Sequence, residues 1–473
     1  MLKKTKIVCT LGPASSGAET MREMLRAGMN VARLNFSHGT HEGHRKTIET
    51  FRAVRDELGL PAAVLLDTKG PEIRVGDFEN GSEMLKAGDT FVFTSEKCLG
   101  SAERADTTYK ALPSQVEEGT MILVDDGRIR MQVTGTTDTE VICRVINGGK
   151  ISSRKGINIP DKSIDLEYIS DADRSDILFG IEMDVDYVAA SFVRSGDDVR
   201  ELRKLLCDNG GENIKIISKI ENTEGINNFA EILDLSDGIM VARGDMGVEV
   251  DFEKLPGIQK KFIKECCRAG KPVITATQML ESMTSSPSPT RAEITDVANA
   301  VFDGTSAVML SGESAAGMYP VEAVKTMAKI VRRAELDAED VNQYKFLEVE
   351  SDEKDISNAI GHAACTTAKD IRAKAIIAVT TSGYTAEMMS KYKPAENIIA
   401  ATPVLKTYHQ QSLTRGVFPI LTELGNDWEA VLAESAEKAE KYGFVKSGDT
   451  VVFSAGMPLQ VSGTTNLIMV KVI

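Results

Sequence analysis

The sequence predicts an α/β fold: a (β/α)8 TIM barrel, a small β-barrel domain inserted into it, and a C-terminal α/β domain with a mostly parallel sheet. Two observations predict the barrel. Short apolar runs alternate with amphipathic helical segments about eight times, and nearly every run ends in polar or charged residues. The carboxyl ends of barrel strands share one face, where the active sites of such enzymes lie. A structural ion pair explains one polar strand end, but roughly six of them on one face indicate a site.

Length and composition agree with this fold and argue against two classes of partner. The 473 residues are enough for about three domains. The aromatic content of only 5% suits buried strands rich in Val, Ile and Leu. A net charge of −15 argues against nucleic acid and against an anionic membrane surface. It does not argue against a small anionic substrate, because local cations decide that.

The cysteines and the N-terminus predict a soluble cytoplasmic protein. The seven cysteines are scattered, odd in number and without a CxxC pair, which favours a reducing compartment. Cys266 and Cys267 are expected inside a helix. The N-terminus enters a strand almost at once without the pattern of a signal peptide, and no window approaches the ~18 apolar residues of a membrane span.

The first βα unit begins with the apolar run Lys6 to Leu11, which predicts a strand. Ser16 and Glu19 have the spacing of a capping box in front of a helix predicted over residues 18–27. Gly28 is the expected stop of that helix, because glycine readily adopts the left-handed conformation found at helix ends.

The second unit places three polar side chains on one face of a strand. The strand predicted over residues 30–36 carries Arg33, Asn35 and Ser37 at alternate positions. A helix over residues 41–58 follows, with its apolar residues on one stripe. This is the first strand of the chain to end in a cluster of polar groups.

The third strand, over residues 62–66, ends in Asp67 and Thr68, and the βα alternation then breaks. From about Val75 to Asp165 the segments are short and rich in Thr, Val, Gly and Asp, with turn pairs such as Asp126-Gly127. This pattern predicts a small all-β domain inserted between barrel elements.

The barrel pattern resumes after Ile169, with strands predicted over residues 187–193, 214–220, 238–243, 272–277 and 307–310. Lys219 and Glu221 lie two residues apart and therefore share one strand face. After the next strand, the turn around Asp245 looks like a helix start, which offers backbone N–H groups to an anion and a carboxylate to a metal. A buried structural ion pair among these three side chains is the alternative interpretation.

The change of pattern sets the domain boundaries: residues 1–70 and 169–344 form the barrel, residues 71–168 the insertion and residues 345–473 the C-terminal domain. In the last domain, strands are predicted over residues 374–381, 398–401, 417–421, 450–454 and 467–472, with a helix over residues 427–442. Its doubly wound pattern is typical of a mostly parallel sheet.

One loop of the C-terminal domain places hydroxyls and a glycine where a strand meets a helix start, which is typical of a phosphate site. Its residues are Thr380, Thr381, Ser382, Gly383 and Thr385. A plain helix cap is the alternative explanation. The segment 454–465 is a second polar loop that contains glycine.

Seven motifs resemble those of pyruvate kinases, in matching order and over essentially the whole chain. They are NVARLNFSHG, LLDTKGPEIR, RKGINIP, SKIEN, GIMVARGDMGVE, ITATQMLESM and TRAEITDVANAV. The resemblance implies a glycolytic enzyme that depends on Mg²⁺ (or Mn²⁺) and K⁺. It would transfer the phosphoryl group of phosphoenolpyruvate to ADP, giving pyruvate and ATP. It also implies a homotetramer and, in many members, a sugar-phosphate or AMP effector in the C-terminal domain.

The resemblance also implies roles for individual residues, and the chemistry of the side chains agrees. Lys219 would stabilise the transferring phosphoryl group and the developing enolate, and Arg33 would hold the phosphoryl group. Glu221 and Asp245 are hard oxygen ligands suited to Mg²⁺. The substrate carboxylate would lie against the amides of Gly244 and Asp245 and the hydroxyl of Thr277. The proton donor to the enolate stays open, with Thr277 and Ser311 as candidates.

Two further sets of residues match a monovalent cation site and a nucleotide site. The oxygen donors that would hold K⁺ are Asn35, Ser37, Asp67 and the carbonyl of Thr68. The nucleotide contacts would be Asn35, Ser37, His38, Arg74 and Lys155. Family members with lysine in place of Glu72 supply this positive charge themselves, so an acidic residue here predicts activation by K⁺. Lys155 would reach in from the inserted domain, which would act as a lid that excludes water.

Three other interpretations account for parts of the sequence. A Mg²⁺-dependent lyase or mutase acting on a pyruvate enolate would also use Glu221, Asp245 and an arginine, but it has no use for Lys155 or the K⁺ donors. A catalytically inactive sensor would keep only the C-terminal phosphate loop. A zinc site at His38, His41 and His44 is not expected, because HExH lacks the spacing of HExxH.

Overall fold

The structure is a computed structural model. It describes residues 2–160, 162, 164–340, 355–423, 425, 427–458 and 465–473. Most of the second polar loop predicted in the C-terminal domain, residues 459–464, lies outside the described residues. No helix in the described part of the chain is both long and apolar enough to cross a membrane.

Eight parallel strands close into a barrel, as predicted. Each strand pairs with the next in sequence and the last pairs with the first. The strands are Lys6–Thr10, Val31–Asn35, Ala63–Asp67, Tyr187–Ala190, Lys215–Ile220, Gly238–Ala242, Val273–Ala276 and Ala307–Leu310. Every carboxyl end therefore opens on the same face, which brings the polar strand ends together.

Helices cover the outside of the barrel. The main ones are Ala18–Ala27, His41–Leu58, Asp171–Glu182, Gly196–Asp208, Phe229–Leu235, Leu255–Ala269, Arg291–Asp303 and Pro320–Asp340. Shorter helical segments are Thr223–Asn227, Arg243–Glu249, Glu281–Thr284 and Gly312–Ala315. Their apolar stripes pack on the outer faces of the strands in one large core, whereas a second, smaller core fills the barrel itself.

Three local predictions were wrong. The helix Ala18–Ala27 begins after Gly17, and no side chain caps it, so the predicted capping box is absent. The strand predicted over residues 187–193 ends at Ala190, because Phe192 turns the chain out of the sheet with a φ of 52°. The strand predicted to include Arg243 ends at Ala242, and Arg243 instead begins a short helix.

The insertion is all-β, as predicted. Its strands are Ile73–Arg74, Ser82–Leu85, Thr90–Thr94, Arg104–Asp106, Met121–Val124, Ile129–Thr136, Glu140–Asn147, Gly149–Ser152 and Gly156–Asn158, with one short helix, Leu112–Gln115. Seven strands form one sheet and two form another. A bridge between Val75 and Thr107 joins the two edges of the larger sheet, so it curls into the small barrel.

The C-terminal domain is a five-stranded sheet with four parallel strands and one antiparallel edge strand. Its strands are Ala375–Val379, Asn397–Thr402, Val417–Leu421, Thr450–Gly456 and Thr465–Val472. Its helices are Ile356–Asp370, Tyr384–Ser390, Leu405–Gln410 and Trp428–Lys441, with a 3-10 turn at Gln411–Leu413. Leu413 inserts into the core inside the barrel, so this domain closes the end opposite the polar strand ends.

Candidate active site

Lys219 lies at the centre of the polar face. Its ammonium group contacts Asp67 Oδ1 at 3.0 Å, Ser191 Oγ at 2.6 Å and Glu221 Oε1 at 3.1 Å. The first two contacts are hydrogen bonds, and the third is an ion pair. Burial would lower the pKa of Lys219, but Asp67 and Glu221 outweigh it and raise the pKa. The lysine is therefore held as a cation in a buried site.

Asp67 joins this lysine to Arg33. Arg33 Nε donates to Asp67 Oδ2 at 2.6 Å, and its Nη1 donates to Thr10 Oγ1 at 2.9 Å. Burial alone would raise the pKa of Asp67, but the two neighbouring cations overcome this and lower it. One fully buried carboxylate thus fixes two cations from two other strands at a common point.

Glu221 and Asp245 form the acidic side of the site. Glu221 is buried, and its Oε2 accepts a hydrogen bond from the amide of Phe192 at 2.7 Å. Burial raises the pKa of Glu221 to about 7 despite the nearby Lys219. Asp245 interacts with both Glu221 and Lys219, and burial raises its pKa as well. Glu221 therefore lies beside the lysine, and Asp245 is close enough to influence the pKa of both groups.

The short helix that begins at Arg243 lies against the loop after the seventh strand. The amide of Gly244 donates to Thr277 Oγ1 at 2.8 Å, and Thr277 has a left-handed φ of 66°. Arg243 donates to the carbonyl of Thr277 at 2.5 Å and to the carboxylate of Asp296 at 2.7 Å. The buried guanidinium therefore holds Thr277 in its strained conformation beside Gly244.

The four predicted K⁺ donors lie at two neighbouring strand ends. Asn35 and Asp67 are directly opposite each other in the strand register. Asn35 Oδ1 accepts a hydrogen bond from the amide of Ser37 at 3.1 Å, and the carbonyl of Thr68 accepts one from Ser191 at 2.6 Å. The donor set of amide, hydroxyl, carboxylate and carbonyl oxygens fits a hard monovalent cation.

The predicted nucleotide residues are divided between two domains. Arg74 and Lys155 lie on the insertion, where they pair with Glu72 at 2.6 Å and Asp125 at 2.7 Å. His38 is an exposed residue of the barrel. A cavity of about 370 Å³ lies between the two domains. Residues that line it include Glu72, Asp126, Asn158, Phe192, Asp245 and Glu249.

The histidines, Cys266 and Ser311, which the sequence analysis also considered, contact groups other than those of the lysine cluster. His41 Nε2 lies 2.6 Å from Asp176, and His44 Nε2 lies 2.8 Å from the carbonyl of His38. Cys266 is buried inside a helix, as predicted, and burial raises the pKa of its thiol. The amide of Ser311 donates to the buried carboxylate of Glu313 at 2.7 Å.

The C-terminal phosphate loop makes several internal contacts. Thr380 Oγ1 accepts a hydrogen bond from the amide of Gly383 at 2.9 Å, and Thr385 Oγ1 lies 2.7 Å from Thr465 Oγ1. Thr407 donates to the carbonyl of Thr381 at 2.7 Å. Two of the predicted hydroxyls are therefore already bonded within the domain.

Sequence reasoning missed three groups that shape the site: the Ser191 hydroxyl, the Phe192 amide and the Arg243 guanidinium. Ser191 follows a strand end, so the same rule that identified Asp67 could have found it. The sequence predicts Arg243 inside a buried strand, and from that position its contact with Thr277 cannot be predicted. No pattern in the sequence indicates the bond from the Phe192 amide, because it depends on a backbone turn.

Comparison with known proteins decides the family. The family model "Pyruvate kinase, barrel domain" matches residues 2–324, and "Pyruvate kinase, alpha/beta domain" matches residues 358–471. The chain belongs to the pyruvate kinase family. It is 47% identical to pyruvate kinase from Clostridium acetobutylicum over 475 residues, which cover both chains completely. It is 47% identical to pyruvate kinase from Staphylococcus haemolyticus, covering 100% of this chain and 81% of the relative.

A solved structure agrees with this assignment. The chain resembles a pyruvate kinase from Cryptosporidium parvum with a TM-score of 0.92 and 40% identity, covering 99% of this chain and 96% of the other. Members of this family are phosphotransferases, and so is this chain. None of these relatives favours the lyase or mutase alternative.

Proposed function

We propose that the chain transfers the phosphoryl group of phosphoenolpyruvate to ADP, giving pyruvate and ATP. One observation carries the proposal: a buried ammonium, a guanidinium and two carboxylates from the ends of three barrel strands lie close together. Phosphoryl transfer spreads negative charge over the oxygens of the moving group, so catalysis depends on well-placed cations. Lys219 and Arg33 supply these cations, and Asp67 fixes both of them.

Lys219 would act on the transferring phosphoryl group and on the enolate left behind. Its ammonium group donates hydrogen bonds to Asp67 and Ser191 and forms an ion pair with Glu221, and a substrate oxygen would take a place beside these partners. The low polarity of the buried site strengthens such a contact. Arg33, held by Asp67 and Thr10, would bind the phosphoryl group from a second side.

Glu221 and Asp245 would hold Mg²⁺ or Mn²⁺. Burial raises the pKa of both carboxyl groups. A bound cation would oppose this rise, because it stabilises the charged carboxylates. Among the described residues, no group of three or more His, Cys, Asp or Glu side chains is arranged to hold a metal, so substrate and water would complete the coordination. Held by these two carboxylates, the ion would supply positive charge against the negative charge of the phosphoryl group.

Substrate positions follow from the surrounding groups. The substrate carboxylate would lie against Gly244, Asp245 and Thr277, where a buried arginine fixes the loop. The nucleotide would bind between the barrel and the insertion, contacting Asn35, Ser37, His38, Arg74 and Lys155. Closure of the insertion would exclude water from the transfer.

The K⁺ donors make a direct prediction about salts. The proposed K⁺ ligands are Asn35, Ser37, Asp67 and Thr68. Activity should fall at least about tenfold when tetramethylammonium replaces K⁺, because the site then loses one fixed positive charge. Glu72→Lys should restore part of the activity in tetramethylammonium, because it adds a fixed cation. Full wild-type activity without K⁺ would contradict this assignment.

The remaining proposals concern assembly and regulation. A cytoplasmic homotetramer with an effector site at Thr380–Thr385 agrees with the family resemblance. Activation curves with a panel of sugar phosphates and AMP would test the effector site, and sedimentation would test the assembly.

A coupled assay tests the main proposal. Pyruvate formed from phosphoenolpyruvate is measured through lactate dehydrogenase and NADH, with and without ADP. We expect pyruvate only when ADP is present, with ATP formed in equal amount. Pyruvate release that does not depend on ADP would contradict the phosphotransfer and support the lyase alternative.

A further inference from the structure

The dipeptide Ser191-Phe192, directly after the fourth barrel strand, has no role in the assignments above. Ser191 is 1% exposed, so its hydroxyl is closed off from solvent. Its Oγ accepts a hydrogen bond from Lys219 at 2.6 Å, while the amide of Phe192 donates to Glu221 at 2.7 Å. Two adjacent residues thus bond to the central lysine and to one of the metal-binding carboxylates.

The hydroxyl of Ser191 also faces the predicted monovalent site. It lies 2.6 Å from the carbonyl of Thr68 and 3.2 Å from Asp67 Oδ1. A hydroxyl has one hydrogen, and its oxygen is already used as an acceptor for Lys219. The hydrogen therefore goes to Thr68 or to Asp67, and the shorter distance favours the carbonyl of Thr68.

Packing fixes this arrangement. The amide of Ser191 donates to Thr68 Oγ1 at 3.1 Å, so the two residues are bonded in both directions. Gly70 has a left-handed φ of 77°, and a Cβ at that position would come within 2.8 Å of Ser191 Cβ. The loop from Asp67 to Gly70 therefore lies directly on Ser191, with little room for another arrangement.

We propose that Ser191 is a positioning residue that orients Lys219 and couples it to the monovalent cation site. This inference rests on the proposed function of that site. The carbonyl of Thr68 is both the acceptor for Ser191 and a proposed K⁺ ligand. The donated hydrogen places positive charge at this oxygen and weakens it as a cation ligand. Removing the hydroxyl should strengthen K⁺ binding while it releases Lys219.

The test uses Ser191→Ala in the full chain. We expect kcat at saturating substrates and K⁺ to fall about tenfold to a hundredfold, the scale of one hydrogen bond to a charged group. Without substrates, the concentration of K⁺ that gives half of its stabilising effect on Tm should fall at least about threefold. Tetramethylammonium at equal ionic strength serves as the salt control.

Two more variants separate positioning from folding. Ser191→Cys fills nearly the same space but replaces the hydroxyl by a weak thiol donor, so it should share the loss of kcat and keep Tm close to that of the wild type. Ser218→Ala is the matched control, because Ser218 is a buried serine beside Lys219 whose hydroxyl bonds to Ser236 instead. It should keep kcat within about twofold of the wild type.

The outcomes are distinct. A wild-type kcat in Ser191→Ala, or a lower kcat with unchanged K⁺ dependence of Tm, would overturn the inference. If Ser191→Cys keeps full activity, the hydroxyl has no positioning role. A wild-type enzyme that makes no ATP from phosphoenolpyruvate and ADP would instead overturn the proposed function, which the same assays measure first.

Discussion

Both ends of the barrel bury lysines, but the acceptors of Lys219 at the carboxyl end differ from those of Lys3 and Lys6 at the opposite end. At the carboxyl end, Lys219 contacts two carboxylates, and these raise its pKa in spite of burial. At the opposite end, Lys3 bonds to the side-chain oxygen of Asn30, and Lys6 donates to the carbonyl of Val417 at 2.5 Å. Burial lowers the pKa of Lys3 to about 7 and lowers that of Lys6 as well.

The difference lies in the acceptors. Neutral amide and carbonyl oxygens satisfy an N–H group, but they do not balance a buried positive charge. Glu335 is close to Lys3, yet its carboxylate binds the backbone amides of Lys4 and Thr5. Carboxylates therefore maintain Lys219 as a cation, and Glu387 does the same at the opposite end for Lys215, whose pKa it raises in spite of burial. Lys6, in contrast, holds the C-terminal domain against the barrel as a hydrogen-bond donor to a neutral carbonyl.

The strongest test of this contrast replaces the central lysine. Lys219→Met should fold normally and lose roughly 10²–10³-fold or more in kcat, the usual scale for one preorganised charge donor. Steady-state kinetics with saturating substrates would measure the loss, and circular dichroism would verify the fold. Near-normal turnover would show that the role of Lys219 is misassigned.

A second test removes packing at the opposite end. Leu413 is fully buried in the core inside the barrel. Leu413→Ala should destabilise the protein by about 2–5 kcal/mol, because it leaves a cavity in a well-packed core. A lower Tm in calorimetry would measure this, with kcat unchanged at 25 °C. The control is Leu405→Ala, since Leu405 is 55% exposed and its loss should change Tm little.

The third test concerns Lys3 and pH, and it changes stability gradually and leaves kcat almost unchanged. The pKa of Lys3 is about 7 in the fold and 10.5 as its ordinary value, so between these the unfolded chain binds more protons. The stability of the wild type relative to Lys3→Met should therefore rise with pH from about 7 to 10, by at most about 1.4 kcal/mol per pH unit. Denaturation at several pH values measures this difference.

Lys3→Met also complements Lys219→Met, because each replaces a buried lysine by methionine. Only the change at the carboxyl end should reduce kcat, and Lys3→Met should stay within about twofold of the wild type. Parallel stability curves for Lys3→Met and the wild type across this pH range would contradict the assignment of a neutral lysine. Equal losses of kcat in both variants would remove the contrast between the two ends.

The sequence by itself determined the barrel, the all-β insertion and the positions of the charged strand ends. Strand periodicity and turn residues are local properties, and the carboxyl ends of barrel strands share a face in every such fold. The sequence therefore predicts that Lys219, Glu221, Asp245, Arg33 and Asp67 lie on one face of the barrel.

Only the tertiary structure decided which oxygen each charge meets. The bonds from Ser191 to Lys219, from Phe192 to Glu221 and from Arg243 to Thr277 depend on backbone turns after the strands. The insertion of Leu413 into the barrel joins residues far apart in the chain. Such contacts come from packing between separate elements, so no local pattern of residues encodes them.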